Sequence, residues 1–346
     1  MSKSKLGQFY TKNSDYILSG FENNTEYFKR IKTIIEPFSG EKDLINWIKQ
    51  AINQECCETE CYDIDPKHSD VIKRDTLLNP PDYSDKFIIT NPPYLALNKS
   101  QKDQKEIYEF YKTDDLYKCF IKSIINNNIA QGGIVIIPLN FWSSIRVSDI
   151  ELRKEFLKVY NIICMNIFEE QVFEDTSYTV CSFMFCKQVD NKTAFNFNAT
   201  FFPSKDIVNL CFNQQNNYTF GGEIYNLPKT SSYEISRYTR LTESDEYLTH
   251  IIVKCIDDKT PISFIYDENK TYCDETEKLH NRSYLQLVIK PSISKEKQIK
   301  VSQLCNNFLN ENREKYHSLF LTNFREGKRK RISFELVYNI VRHILD

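Results

Sequence analysis

Apolar residues in the first 187 positions fall into short β-branched runs that alternate with segments of helical period. This alternation predicts a doubly wound α/β sheet. Ile17, Leu18, Phe21, Phe28, Ile31, Ile34 and Ile35 recur at helical spacing and predict a helix over 17–35. Glu36-Pro37-Phe38-Ser39-Gly40 reads as a strand end and turn, followed by a helix carrying Leu44, Ile45, Ile48 and Ile52 that Asp43 can cap. Strands are expected at 61–64, 71–74 and 86–90, then a helix at 115–129. Gly132-Gly133 is expected to turn into a strand at 134–138, followed by helix 149–158 and strands 161–168 and 178–186. Only about six residues separate the second strand from the third, too few for an ordinary parallel crossover. Strand 71–74 should therefore be rudimentary, or its crossover helix reduced to a loop. After Lys187 the periodicity weakens into an Asn-, Gln- and Phe-rich stretch and then scattered helices, the last carrying Ile332, Leu336, Val337, Ile340, Val341 and Ile344. The expected division is a first domain at 1–188 and a second at 189–346.

Composition narrows the class. An apolar fraction of 41% with 24 Phe and 21 Tyr excludes a disordered chain. No apolar run has the roughly 18–20 residues of a membrane span, and the N-terminus lacks the apolar core of a signal peptide. An intracellular, soluble protein is expected. Eleven cysteines at irregular spacing, without paired Cys-x-x-Cys or His ligands, read as free thiols of a reducing compartment and not as a metal site. A net charge of −2 means that a polyanionic partner must be held by a local basic patch.

The candidate chemistry centres on Phe87-Ile-Ile-Thr-Asn91-Pro92-Pro93-Tyr94, an apolar strand ending in a rigid loop tipped by an aromatic ring. The two prolines fix φ and supply no N–H, so the loop presents carbonyl oxygens. An amide, a fixed carbonyl and an aromatic face suit a flat heterocycle bearing an amino group. Asn79-Pro80-Pro81-Asp82 shares the first three residues but lacks the aromatic and the strand, and reads as an ordinary turn.

With these residues in place, the chain resembles the amino-methyltransferases of DNA, and among them the N6-adenine enzymes of the gamma arrangement. The likeness runs over residues 5–187, with Asn91-Pro92-Pro93-Tyr94 as its most specific motif. It implies an α/β fold: a Rossmann-like seven-stranded methyltransferase sheet with one antiparallel strand, plus a smaller irregular C-terminal α+β target-recognition domain. It implies S-adenosyl-L-methionine as cofactor. By the resemblance, Lys5-Leu6-Gly7-Gln8-Phe9-Tyr10-Thr11 covers the cofactor's methionine end, through Gln8, Tyr10 and Thr11. Glu36, Pro37, Phe38 and Gly40 match the cofactor loop, with the acidic residue near the ligand's ammonium. Lys42 departs from the pattern where the family has a second glycine. Asp63, with Ile64 beside it, aligns with the acidic residue that accepts from the ribose hydroxyls; Asp75, with Thr76, aligns with the acceptor of the adenine amine.

In the implied reaction the Asn91 amide oxygen and the Pro92 carbonyl accept the two protons of an exocyclic amine, favouring a pyramidal nitrogen whose lone pair attacks. Both acceptors strengthen as that nitrogen becomes cationic, so they favour the transition state over the ground state. Tyr94 stacks on the base, which has to be turned out of the duplex. Phe173 is the expected second stacking residue, with Tyr178 as runner-up. Lys328, Arg329, Lys330 and Arg331, just before the last helix, are the expected DNA phosphate contacts. The implied partners are double-stranded DNA and a cognate restriction endonuclease acting separately; a monomer away from membranes is expected. Two rivals stand beside this reading: a glutamine or ribosomal-RNA amine methyltransferase, and a specificity subunit with an inactive methyltransferase-like core. N4-cytosine methylation fits less well, because those enzymes typically carry Ser or Thr where Asn91 stands.

Overall fold

The computed structural model describes residues 11, 13–52, 57–101, 105–126, 128–174, 176, 178–242, 244–274, 283–323 and 329–346. The first compact unit runs to Phe220 and the second from Gly221 to Asp346.

Seven strands carry the predicted alternation: β1 (Thr33–Glu36), β2 (Glu58–Asp63), β3 (Ile72–Lys73), β4 (Phe87–Thr90), β5 (Gly132–Pro138), β6 (Tyr160–Phe168) and β7 (Val180–Lys187). Two more, β8 (Ala194–Phe202) and β9 (Asp206–Asn213), extend the sheet to nine strands in the order β3-β2-β1-β4-β5-β7-β6-β8-β9. Among the first seven, β7 runs antiparallel to both β5 and β6. Strand β8 lies parallel to β6, and β9 folds back on it as a hairpin. Alternate residues Phe195, Phe197, Ala199 and Phe201 of β8 are buried. This hairpin corrects the expected boundary: residues 189–220 belong to the first unit, and the division falls after Phe220 and not at 188. Asn-rich positions on the outward face masked the period-2 alternation of β8.

The helix expected over 17–35 does not form. Ser14–Ile17 and Thr25–Phe28 are single turns, Phe21–Asn23 is a 3₁₀ turn, and Gly20 at φ 89° separates the first turn from the second. Ile34 and Ile35 lie in β1 with no exposure, between β2 and β4. A strand buried on both faces has a continuous apolar run, which periodicity cannot distinguish from a helix. The predicted core positions are all buried all the same. The helices Asp43–Ile52, Leu116–Asn126 and Val147–Val159 lie where expected. Strand β3 has two exposed residues and is joined to β2 by a loop alone, which accounts for the short crossover.

Gly132 and Gly133 are strand residues and not a turn. A Cβ on Gly133 would lie 2.5 Å from the Ile88 carbonyl oxygen and 2.8 Å from the Phe185 ring. Glycine lets β5 close on β4, the strand that ends at Asn91. Gly133→Ala is expected to cost about 1–3 kcal/mol by overpacking, read as a lower denaturant midpoint at an unchanged slope.

In the second unit β10 (Glu234–Arg237), β11 (Leu248–Lys254), β12 (Ser263–Tyr266) and β13 (Tyr284–Lys290) form an antiparallel sheet in the order β10-β13-β11-β12. Helices Lys295–Lys315 and Phe334–Leu345 begin at Ser294 and Ser333, whose hydroxyls accept from the Lys297 and Leu336 amides. A two-stranded ribbon joins β14 (Leu321–Asn323) to β15 (Arg329–Lys330). This is the smaller α+β unit expected. Among the described residues no helix is long and apolar enough to cross a membrane.

Candidate functional site

Strands β1 to β4 are mutually parallel, so their C-terminal ends open on one side of the sheet. Neighbours β1 and β4 are where the strand order reverses, the crevice in which open α/β sheets take ligands. Glu36 ends β1, Asp63 ends β2, Arg74-Asp75-Thr76 follows β3 and Asn91 follows β4. Topology thus gathers four segments that are separated in sequence.

The loop after β1 is held to the end of β2. The Ser39 amide donates to the Tyr62 carbonyl at 2.9 Å, and the Gly40 amide to Asp63 Oδ2 at 2.9 Å. Asp63 Oδ1 accepts from the Asp65 amide at 2.8 Å. Each carboxylate oxygen keeps a further lone pair for a hydroxyl donor. Gly40 has φ 47°. The Thr76 hydroxyl donates to the Pro37 carbonyl at 3.1 Å, tying the segment after β3 to the same loop. The Phe38 ring packs edge-on against Phe120 at 5.4 Å. Asp75 Oδ1 accepts from the Leu77 and Leu78 amides at 3.0 and 3.1 Å, and Ile64 is an exposed apolar side chain next to Asp63.

Lys42 has φ 66°, the left-handed backbone that the family's glycine adopts without cost. Its ammonium pairs with Asp70, which holds its pKa above the usual lysine value against the effect of burial. Lys42→Gly is expected to relieve about 1 kcal/mol of backbone strain and to lose an exposed pair of about 0–1 kcal/mol. Its stability should therefore match wild type closely. Lys42→Ala keeps the strain without the pair and should unfold at lower denaturant.

Glu36 is 1% exposed, and among the described residues its Oε2 has no hydrogen-bond partner. Burial holds its pKa well above the carboxylate range; the Asp43 and Asp63 carboxylates add to the shift, and the Lys42 ammonium and the Ile45 amide oppose it. A buried carboxylate with an unmatched oxygen, at the mouth of β1, suits a cationic ligand group such as an amino-acid ammonium. On this test the residues present fit S-adenosylmethionine.

Beyond β4 the Asn91 side chain is fixed at both ends: Nδ2 donates to the Thr11 hydroxyl at 3.1 Å, and Oδ1 accepts from the Tyr94 hydroxyl. Thr11, from the N-terminal motif, therefore reaches the loop after β4. Gln8 and Tyr10 lie outside the described residues. The Ser14–Ile17 turn is anchored to the sheet by Ser182 and Asn166, whose side chains donate to the Ile17 carbonyl at 2.7 and 3.2 Å. Pro92 is buried and Pro93 half-buried. The Tyr94 ring, expected to stack on a base, is 3% exposed, with Tyr117 and Tyr178 edge-on to it at 6.1 and 6.5 Å. Phe173 is 4% exposed, in a loop where Gln171 Nε2 donates to the Phe173 and Thr176 carbonyls. The structure brings the half-buried Tyr178 beside Tyr94; among the described residues no ring contact joins Phe173 to it. The second diproline segment is an ordinary loop, with Arg74 donating to the Asn79 and Pro80 carbonyls.

One contributor was missed in the sequence. Asp115, largely buried, accepts from the Leu95 amide at 3.1 Å, and the Leu116 amide donates to the Leu95 carbonyl, so the segment after Tyr94 is clamped to the start of helix Leu116–Asn126. Burial pushes the Asp115 carboxyl up to about 7, with the Lys118 ammonium opposing and the Asp114 carboxylate adding to the shift. The available signal was the acidic pair Asp114-Asp115 immediately before an apolar-periodic helix.

Of the basic run, Lys328 lies outside the described residues. Arg329 and Lys330 form β15 and, with Arg331, are half-buried. Lys330 Nζ donates to the His317 carbonyl at 2.9 Å, the Arg331 amide donates to the Phe320 carbonyl, and Ser333 caps the helix that follows. Among the described residues no group of three or more His, Cys, Asp or Glu is placed to hold a metal ion.

The strand order, with β7 antiparallel within a parallel sheet, defines the fold of the class I S-adenosylmethionine-dependent methyltransferases. Residues 6–173 match the family described as Eco57I restriction-modification methylase, so the resemblance read from the sequence is borne out. No curated protein sequence matches the chain. Among solved structures it is similar to the type IIG restriction endonuclease BpuSI, at 11% identity over 71% of this chain and 38% of that one, with a TM-score of 0.47. It is similar to the methyltransferase subunit of a type I restriction-modification system from Streptococcus thermophilus, at 12% identity over 55% and 47%, TM-score 0.39. It is also similar to the type IIL restriction-modification enzyme MmeI, at 12% identity over 71% and 46%, TM-score 0.42. In each case the chain spans less than half the length of the neighbour.

Proposed function

We propose that the protein is a DNA adenine-N6 methyltransferase that takes its methyl group from S-adenosylmethionine and acts on an adenine turned out of duplex DNA. The observation that carries this reading is the shared end of β1 and β4, where β1 closes on a buried carboxylate whose Oε2 is unmatched among the described residues and β4 is followed by Asn91-Pro92. When bound, the cofactor supplies an electrophilic methyl group on a sulfonium.

Glu36 would receive the cofactor's ammonium, Asp63 the ribose hydroxyls and Asp75 the adenine amine, with Ile64 as an apolar neighbour. Pro37, Phe38, Gly40 and Thr76 shape the loop that admits them, and Gln8, Tyr10 and Thr11 complete the methionine end. Asn91 Oδ1 and the Pro92 carbonyl would accept the two amine protons of the target base and leave its lone pair free to attack. Positioning of that kind supplies much of the acceleration, and the two dipoles favour the cationic nitrogen of the transition state. No strong base is needed, because the proton leaves after the nitrogen has become cationic. The extruded base lies against the aromatic corner of Tyr94 and Tyr178, with Phe173 supporting the loop that carries Tyr178. The second unit is the target-recognition domain, and Lys328 to Arg331 bring positive charge to the DNA backbone.

The reading is tested by incubating the protein with methyl-labelled S-adenosylmethionine and, separately, plasmid DNA, ribosomal RNA and a protein extract. Label in DNA is expected. Label confined to RNA or to protein would transfer the site to the amine methyltransferases that act on those acceptors.

A further inference from the structure

Among the described residues, the phenolic hydroxyl of Tyr94 has two acceptors in reach that its single proton cannot serve at once. It lies within hydrogen-bond distance of Asn91 Oδ1, and its donor contact to the Ile136 carbonyl in β5 is 2.7 Å. Both partners are acceptors, and a phenol carries one O–H. The ring is fixed: it is 3% exposed and flanked edge-on by Tyr117 and Tyr178. The remaining freedom is rotation about the bond from the ring to the hydroxyl oxygen, which swings the proton from one acceptor to the other. At the opposite end of the same amide, Asn91 Nδ2 donates to the Thr11 hydroxyl.

We infer that Tyr94 is a positioning residue for Asn91 that acts through its hydroxyl. Before the target amine arrives, the phenol donates to Asn91 Oδ1 and, with Thr11 at the nitrogen end, fixes which end of the amide faces the crevice. When the amine's N–H reaches Oδ1, the phenol proton turns to the Ile136 carbonyl. Oδ1 then accepts from the substrate, and no buried donor is left unmatched. No bond is made or broken in this exchange. Burial keeps the phenol pKa well above its usual value, with contributions from Cys181 and Asp115, so the group remains a donor across the working pH range. An aromatic ring used only for stacking has no need of this hydroxyl; an aromatic that sets the orientation of the amide does.

The inference rests on the proposed amine-methylating site, and Tyr94→Phe separates the two. The variant keeps the ring, and with it any stacking, and removes only the hydroxyl. In the full-length protein kcat for DNA methylation is expected to fall about 10- to 100-fold, the loss typical of a catalytic group misplaced by about 1 Å, while KM for DNA stays close to wild type. With 2-aminopurine at the mapped target position, the fluorescence rise on base extrusion should be unchanged. An unchanged kcat, or a raised KM with unchanged kcat, would show that Tyr94 works through its ring alone. Thr11→Val provides a second reading should Tyr94→Phe fold poorly. It releases the other end of the amide and should give the same fall in kcat at constant KM; wild-type kcat there overturns the inference. If wild type transfers no methyl group to DNA, the reading of the site fails and not the role of the hydroxyl.

Discussion

Asn91→Ala is expected to lower kcat for methyl transfer at least about 10²- to 10³-fold, the loss that follows removal of one preorganised transition-state acceptor or donor. Binding of duplex DNA should be little changed. The loop has supports besides the Asn91 contacts to Thr11 and Tyr94: the prolines stiffen it, and Asp115 clamps its far side through the Leu95 amide. The mutation removes an acceptor and the side-chain bonds to Thr11 and Tyr94, and leaves the prolines and the Asp115 clamp standing. The loss should appear in kcat and kcat/KM together, because the interaction strengthens only as charge develops on the attacking nitrogen. Single-turnover methylation, measured beside a gel-shift affinity for the same DNA, gives both numbers. Retention of turnover near wild type would remove Asn91 from the chemistry.

Glu36→Gln carries the second large effect, in the cofactor step. Removing one member of a buried charge pair costs about 3–5 kcal/mol, so the affinity for S-adenosylmethionine should fall roughly 150- to 5,000-fold by calorimetric titration. The cofactor-free protein should move the other way. A carboxyl whose folded pKa is raised weakens the fold as pH climbs from the unfolded value toward the folded one, and the penalty persists above it. Glutamine has no such charge, so the unliganded variant should melt above wild type at neutral pH. On the proposed reading the ammonium of the cofactor binds the ionised carboxylate in wild type. Cofactor affinity should therefore rise with pH through the raised Glu36 pKa, and this rise should be absent in Glu36→Gln. A variant that binds the cofactor as wild type does would place the ammonium elsewhere.

The strand-and-loop frame of the first unit was legible because its signals are local. Asn91-Pro92-Pro93-Tyr94 follows an apolar run, Asp63 closes β2 and Asp75 follows β3, and the helices Asp43–Ile52 and Leu116–Asn126 have clear apolar faces. Three features were not legible, each for a physical reason. Ile34 and Ile35 imitate a helical stripe because a central strand is apolar on both faces. Gly132 and Gly133 resemble a turn, yet they are glycines because neighbouring backbone and the Phe185 ring leave no room for Cβ. The β8–β9 hairpin was hidden by polar residues on its outward face and by an unexpected continuation of the sheet past β7. At the site, spacing placed Glu36 at the end of β1 and Asn91 just after β4, but enclosure of the Tyr94 ring and the clamp from Asp115 depend on contacts between loops distant in sequence. Lys42 shows the reverse: its departure from the family's glycine is visible in sequence, and φ 66° with a partner in Asp70 shows how the chain accommodates it.

The proposed chemistry turns on which nitrogen receives the methyl group. Plasmid DNA methylated by the protein, digested to nucleosides and resolved by mass spectrometry, tests it most directly. N6-methyladenine is expected with wild type and should be lost with Asn91→Ala. N4-methylcytosine in that digest, or N6-methyladenine at equal yield from Asn91→Ala, would contradict it.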